Sequence, residues 1–183
     1  ELMISISDNT AADPLLARVG RENVEAYMAR LNPDAAKSFP FLSTMEMFKL
    51  KLSPDRTLAD RYAKADTLIR RDMLTTEVAH ASPSFAGVAL WKAPYEIDRL
   101  EWFASARECA AVMADLHRLE QLKGMEPLAK ALRLNPGLQF DARTWPSIAY
   151  KGGSEPGVLN MTWLLTRDDG KFYLVSFGWN DPK

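Results

Sequence analysis

A single cysteine, Cys109, among 183 residues leaves no partner for an internal disulfide, so no covalent cross-link supports the fold. The same scarcity leaves the redox compartment open. Charge of one sign is also missing: 23 Lys and Arg face 24 Asp and Glu, for a net charge of -1. That balance removes any electrostatic case for nucleic acid or an anionic membrane surface as partner. No apolar run approaches the roughly 20 residues of a membrane span. The two histidines, His80 and His117, lack metal-ligand spacing, so neither a metal nor another cofactor is expected. No internal repeat, low-complexity tract or interdomain linker interrupts the chain, which reads as one domain over residues 1–183. No leader precedes Leu2-Met3-Ile4, and Glu1 in first place reads as a cut or processed end.

What is present is ordinary for a soluble globular protein, with 47% apolar and 26% charged residues and enough length to bury a core. Asp8 or Asn9 can cap a helix through Ala11 to Val19, and Gly20 supplies its stop. A second amphipathic stretch runs from Glu22 to Leu31. Asn32 to Phe41, with two prolines, reads as a loop. Ser43-Thr44-Met45-Glu46 matches a capping box and opens a third helix. Ser53-Pro54-Asp55 is another start signal, and Leu58 to His80 reads as mostly helical. Ala81 to Pro94 is less regular. Apolar residues at helical spacing predict a helix over Tyr95 to Glu120, with Cys109 on its apolar stripe, and a short helix follows over Gly124 to Leu134.

The last forty residues change character. Trp145 to Lys151, Val158 to Thr166 and Phe172 to Trp179 are rich in aromatic and β-branched residues, and Arg167-Asp168-Asp169-Gly170 is a hairpin signal. The aromatic side chains of this hairpin read as packing rather than as a binding platform. Helices over 1–140 followed by antiparallel strands over 141–183 give an α+β fold.

Two short stretches carry chemistry. "SDNTAADPLLARVG" begins with Ser7-Asp8-Asn9, a tripeptide that by itself serves as a helix cap. "SIAYKGGSEPGVLNMTWLL", from Ser147 to Leu165, contains Lys151-Gly152-Gly153-Ser154. In this order and at this remove, the pair resembles the second and third motifs of the serine penicillin-recognising enzymes: β-lactamases, penicillin-binding proteins and related esterases. "FPFLSTMEMFKLKL" and "IDRLEWFASARECAAVM" resemble segments of a β-lactamase-like subfamily that includes a clavulanate-cluster protein. The resemblance extends over nearly the whole chain and implies a β-lactamase/transpeptidase-like fold.

It also implies an acyl-enzyme chemistry in which an S-x-x-K serine attacks an amide or ester carbonyl. Ser7 would relay a proton to the leaving group, and Asn9 would hydrogen-bond the substrate's acyl amide. Lys151 would supply positive potential near the reacting groups and attract a substrate carboxylate. Gly153 and Ser154 would line the substrate, the Ser154 N–H contributing half of an oxyanion hole. A periplasmic or secreted location would follow from the same likeness.

Three departures qualify it. No serine of this chain has lysine three positions on, so the nucleophile would belong to an upstream segment of a parent protein, and this chain alone would be inactive. No E-x-x-L-N pattern lies between Asn9 and Ser43 to position a deacylating water. Gly152 stands where the family has Thr or Ser, removing a carboxylate-binding hydroxyl unless Ser154 substitutes. The competing reading is a non-catalytic ligand-binding or regulatory module on the same fold.

Overall fold

The computed structural model describes residues 1–84 and 91–183. Within the irregular stretch from Ala81 to Pro94, positions 85–90 therefore lie outside the described residues. The chain forms two compact units, each with its own apolar cluster.

The first unit comprises Glu1–Asp8, Ala104–Ser154 and Val158–Asn180. It holds α1 (Leu2–Ser5), two later helices, and strands β1 (Ser147–Glu155), β2 (Val158–Thr166) and β3 (Phe172–Asn180), β1 contributing all but its last residue. The strands form an antiparallel sheet in the order β1-β2-β3. Pairing of β2 with β3 runs from Val158 opposite Asn180 to Thr166 opposite Phe172. The second strand has the boundaries read from sequence; the first begins at Ser147 rather than Trp145 and continues through Gly152-Gly153 to Glu155. Its extension ends in a two-residue connection, Pro156-Gly157, where Gly157 takes φ +82°, a conformation that a side chain would strain.

Apolar residues from both strand and helix close this unit: Ala149, Leu164, Met113 and Leu132 are buried, and Ile4, Leu116, Leu128 and Leu174 pack against them. The expected helix over Tyr95–Glu120 is shorter than its apolar spacing suggested, running only over Ala106–Leu119. Glu96 at φ +56° cannot continue a right-handed helix. Ser105 and Glu108 then exchange reciprocal hydrogen bonds as a capping box, which starts the helix at Ala106. The last helix before the sheet spans Glu126–Arg133. On β3 the alternate residues Tyr173, Val175, Phe177 and Trp179 stay 43–51% exposed, so the hairpin's aromatic residues are only partly packing residues.

The second unit holds α2 (Asn9–Val19), α3 (Arg21–Leu31), α4 (Thr44–Lys51), α5 (Arg56–Lys64) and α6 (Thr67–Thr76), with the turn residues Glu155–Gly157. In sequence order the two helices of the first unit described above are thus α7 (Ala106–Leu119) and α8 (Glu126–Arg133). The capping box at Ser43 and Glu46 opens α4 as its residues dictate. The helical stretch from Leu58 to His80 is broken at Ala65-Asp66, where the Asp66 carboxylate accepts the Ile69 N–H at 2.9 Å and starts a new helix. Leu50, Leu58, Ala59, Tyr62, Met73 and Val78 form its core. No described helix is long and apolar enough to cross a membrane.

Lys51 is buried at the end of α4, and its ammonium donates to Glu155 at 2.6 Å and to Glu101. Two carboxylates thus share one cation. Burial, reinforced by the neighbouring Glu101, pushes the Glu155 carboxyl up to about 8, so this acid keeps its proton in the folded chain at neutral pH. The unfolded chain would release that proton near pH 4.5. The resulting stabilisation is complete below that value and is lost progressively as the pH rises to about 8.

Chemical denaturation between pH 5 and 9 should therefore show a stability decline across this window that Glu155→Gln flattens. Lys51→Ala, which leaves two buried acids without their cation, should destabilise the protein by about 3–5 kcal/mol near neutral pH.

Candidate active site

Ser7 is set in place by the short helix before it. The Ile6 and Asp8 N–H groups both donate back to the Leu2 carbonyl at 3.2 Å, folding the tripeptide over the end of α1. The Asn135 amide donates to the Ser5 carbonyl at 2.8 Å, and Ile4 packs into the core. Ser7 itself takes φ +54°, a left-handed conformation that costs a non-glycine residue about 1–2 kcal/mol. Such strain persists only where surrounding contacts impose it.

Lys151 comes from β1, whose neighbouring residue Ala149 is fully buried. The start of the strand is held by Arg133, which donates through Nε to the Ser147 hydroxyl at 2.7 Å and pairs with Glu120 through both terminal nitrogens at 2.5 and 2.8 Å. The Lys151 ammonium donates to the Ser7 Oγ at 2.6 Å and to the Gly152 carbonyl. The residues are 144 positions apart. Burial lowers the pKa of Lys151 below the ordinary lysine range, because its partial withdrawal from water disfavours the charge. Among the described residues no carboxylate forms a salt bridge with it. The arrangement offers a positive charge and a hydroxyl in direct contact, suited to attracting an anion and passing a proton.

The other predicted site residues sit as follows. Gly153 and Ser154 are exposed on β1, and a side chain at 153 would meet open space. Backbone groups of a strand point the same way every second residue. The Gly152 carbonyl is reached by a lysine rather than taken up wholly within the sheet, so the Ser154 N–H two residues on shares its direction. Asn9 is the exposed first residue of α2 and belongs to the second unit. Cys109 is half-buried, with its thiol pushed up by burial, and has no part in this contact. The His117 ring lies against Phe172 at 4.7 Å and its Nδ1 is 2.7 Å from Glu120. Among the described residues no group of three His, Cys, Asp or Glu side chains is placed to hold a metal ion.

Asn135 and Tyr150 are additions from the structure. Asn135 lies in Asn135-Pro136-Gly137, a turn signal whose reach back to Ser5 no local pattern discloses. Tyr150 stacks on Trp163 with ring centres 5.2 Å apart, which alternation along β1 allows but does not specify.

The strain at Ser7 can be measured. Ser7→Gly and Ser7→Ala both delete the hydroxyl, yet only glycine relaxes φ +54°. The glycine variant should be more stable than the alanine variant by about 1 kcal/mol in urea titration, the reverse of their order in a helix.

Comparison with models of protein families matches residues 1–177 to the beta-lactamase enzyme family. Among solved structures, a beta-lactamase from Sphaerobacter thermophilus DSM 20745 shares the fold with a TM-score of 0.51 and 18% identity. That match covers 100% of this chain and 53% of the other, so the chain spans about half the length of that enzyme. Comparison with curated proteins found no match. With the family match extending over nearly all its residues, the chain belongs to the beta-lactamase enzyme family.

Proposed function

We propose that this chain is the C-terminal part of a β-lactamase-like serine hydrolase acting on β-lactam or ester substrates through an acyl-enzyme. The observation that carries the reading is the 2.6 Å contact between the Lys151 ammonium and the Ser7 hydroxyl. Membership of the beta-lactamase enzyme family supports a hydrolase of that superfamily as the parent. The fit of the chain to about half of a related enzyme is consistent with a nucleophile carried elsewhere in the parent.

In this mechanism a serine of an S-x-x-K motif, outside this chain, attacks the carbonyl carbon. Its proton passes to the motif lysine and returns through Ser7 to the leaving group as the acyl–leaving-group bond breaks. Lys151, carrying a charge that no salt bridge neutralises among the described residues, attracts the substrate's carboxylate. It also holds Ser7 by donating to Oγ, which leaves the Ser7 proton free to be passed to the leaving nitrogen or oxygen. The Ser154 N–H stabilises the developing oxyanion, and Gly153 leaves room beside it. Neither a cofactor nor a metal enters this scheme. Finer placement in the subfamily of the clavulanate-cluster protein rests on the two sequence stretches alone.

Intact-mass spectrometry after incubation with a penicillin or an activated ester tests the assignment. The 183-residue chain should give no stable adduct. Supplying the parent's upstream segment, fused or as a second polypeptide, should produce a single acylation. Lys151→Ala in that completed protein should slow acylation by about 100-fold or more. An adduct on a serine of the chain itself would overturn the assignment of roles. Ligand binding by the completed protein without any adduct would establish the non-catalytic module instead.

A further inference from the structure

One short segment holds both halves of the contact between Ser7 and Lys151. After α8 the chain runs Asn135-Pro136-Gly137, and the Asn135 side chain is engaged at both of its polar atoms. Its amide nitrogen donates to the Ser5 carbonyl, two residues before Ser7, at 2.8 Å. Its amide oxygen accepts the Gly137 N–H, also at 2.8 Å. Only this orientation serves both partners, since the flipped amide would set donor against donor and acceptor against acceptor. Gly137, at φ +72°, lies against the ring of Tyr150, the residue before Lys151: a β-carbon there would be 2.6 Å from Cζ. On the far side of the lysine, a β-carbon on Gly152 would stand 2.0 Å from the Tyr150 hydroxyl oxygen. The ring thus reaches from Gly137 to the residue after Lys151. Trp163 stacks on it and is itself fixed by a 2.9 Å hydrogen bond from Nε1 to the Pro136 carbonyl.

We propose that Asn135 is a positioning residue that sets the distance between the Ser7 hydroxyl and the Lys151 ammonium. It acts through Ser5 on one side and through Gly137 and Tyr150 on the other, a path separate from the contact itself. The ties at the start of α1 sit further from Ser7: Glu1 pairs with Lys130 at 2.8 Å, and Ile4 packs into the core. Asn135 takes hold at Ser5, next to the turn that bends Ser7 to φ +54°, and such a conformation persists only under outside restraint. The chemical consequence rests on the reading of Ser7 as the proton relay. A hydroxyl placed 2.6 Å from an ammonium is held for proton transfer only while the turn and β1 keep their spacing. A displacement of about 1 Å, imposed from a residue that touches no reacting atom, can slow a reaction by roughly 100-fold.

Asn135→Asp is the informative substitution, because it keeps the oxygen that accepts the Gly137 N–H but sets a second oxygen against the Ser5 carbonyl. In the 183-residue chain, NMR reads the pair through the NOE between the Ser7 β-protons and the Lys151 ε-protons. Wild-type protein should show this NOE. Asn135→Asp should lose it while the amide shifts of β2 and β3 stay in place, and Lys130→Ala, which frees only the start of α1, should keep it. Asn135→Ser, too short to reach Ser5, should give the same loss and replaces the aspartate variant if that one does not fold. In the parent completed by its upstream segment, Asn135→Asp should slow acylation at saturating substrate about tenfold or more with KM unchanged, a split that a merely structural residue would not produce. An NOE retained in either folded variant would overturn the inference alone. An NOE missing from wild-type protein would overturn the contact and the relay reading with it. A lost NOE with undiminished acylation would support the positioning role and overturn the relay role of Ser7.

Discussion

The ammonium of Lys151 is partly withdrawn from water and donates to a serine hydroxyl and a backbone carbonyl, with no salt bridge among the described residues. The contact between the turn after α1 and strand β1 depends on this charge. A surface lysine is solvated by water at no structural expense; one drawn toward the interior needs donors and acceptors supplied by the fold. Here the folded-back turn after α1 and the exposed edge of β1 supply them. The left-handed backbone at Ser7 is a consequence, since the turn must present the hydroxyl from a conformation that serine adopts reluctantly.

Lys51 shows what a purely structural solution looks like. It is more deeply buried than Lys151 and is met by two carboxylates, one of which retains its proton near neutrality. Its charge is fully engaged, and nothing remains for a ligand. The two lysines separate on partner chemistry rather than on burial. An acid partner quenches the field, whereas a hydroxyl and a carbonyl leave it directed outward.

Strand β1 joins these themes. Alternation places Ala149 and Lys151 on one face and Tyr150 and Gly152 on the other. The first pair carries packing and charge, the second a stacked ring and the space that it fills. Glycine at 152 is thus required by its neighbour two residues away, not by a turn or by an unusual backbone angle. The strand runs unbroken through both glycines, residues usually associated with weakened strands.

Much of the local structure follows directly from the residues. Ser43 with Glu46 opens α4 because a hydroxyl and a carboxylate at that spacing satisfy two free N–H groups, and the stretch from Val158 to Thr166 forms a strand with the expected ends. The order of Ser7-Asp8-Asn9 and Lys151-Gly152-Gly153 likewise pointed to the beta-lactamase enzyme family before any coordinates. Other features depend on contacts that no short window contains. Helical spacing over Tyr95 to Glu120 could not reveal the left-handed Glu96, nor could Gly152 by itself reveal the tyrosine lying over it. Periodicity and capping act within a few residues, so sequence alone determined which elements form and which motifs they carry. The contact between Ser7 and Lys151 spans 144 positions, and only the tertiary structure decided it, because bringing them together requires α1, α8 and the sheet to close one core.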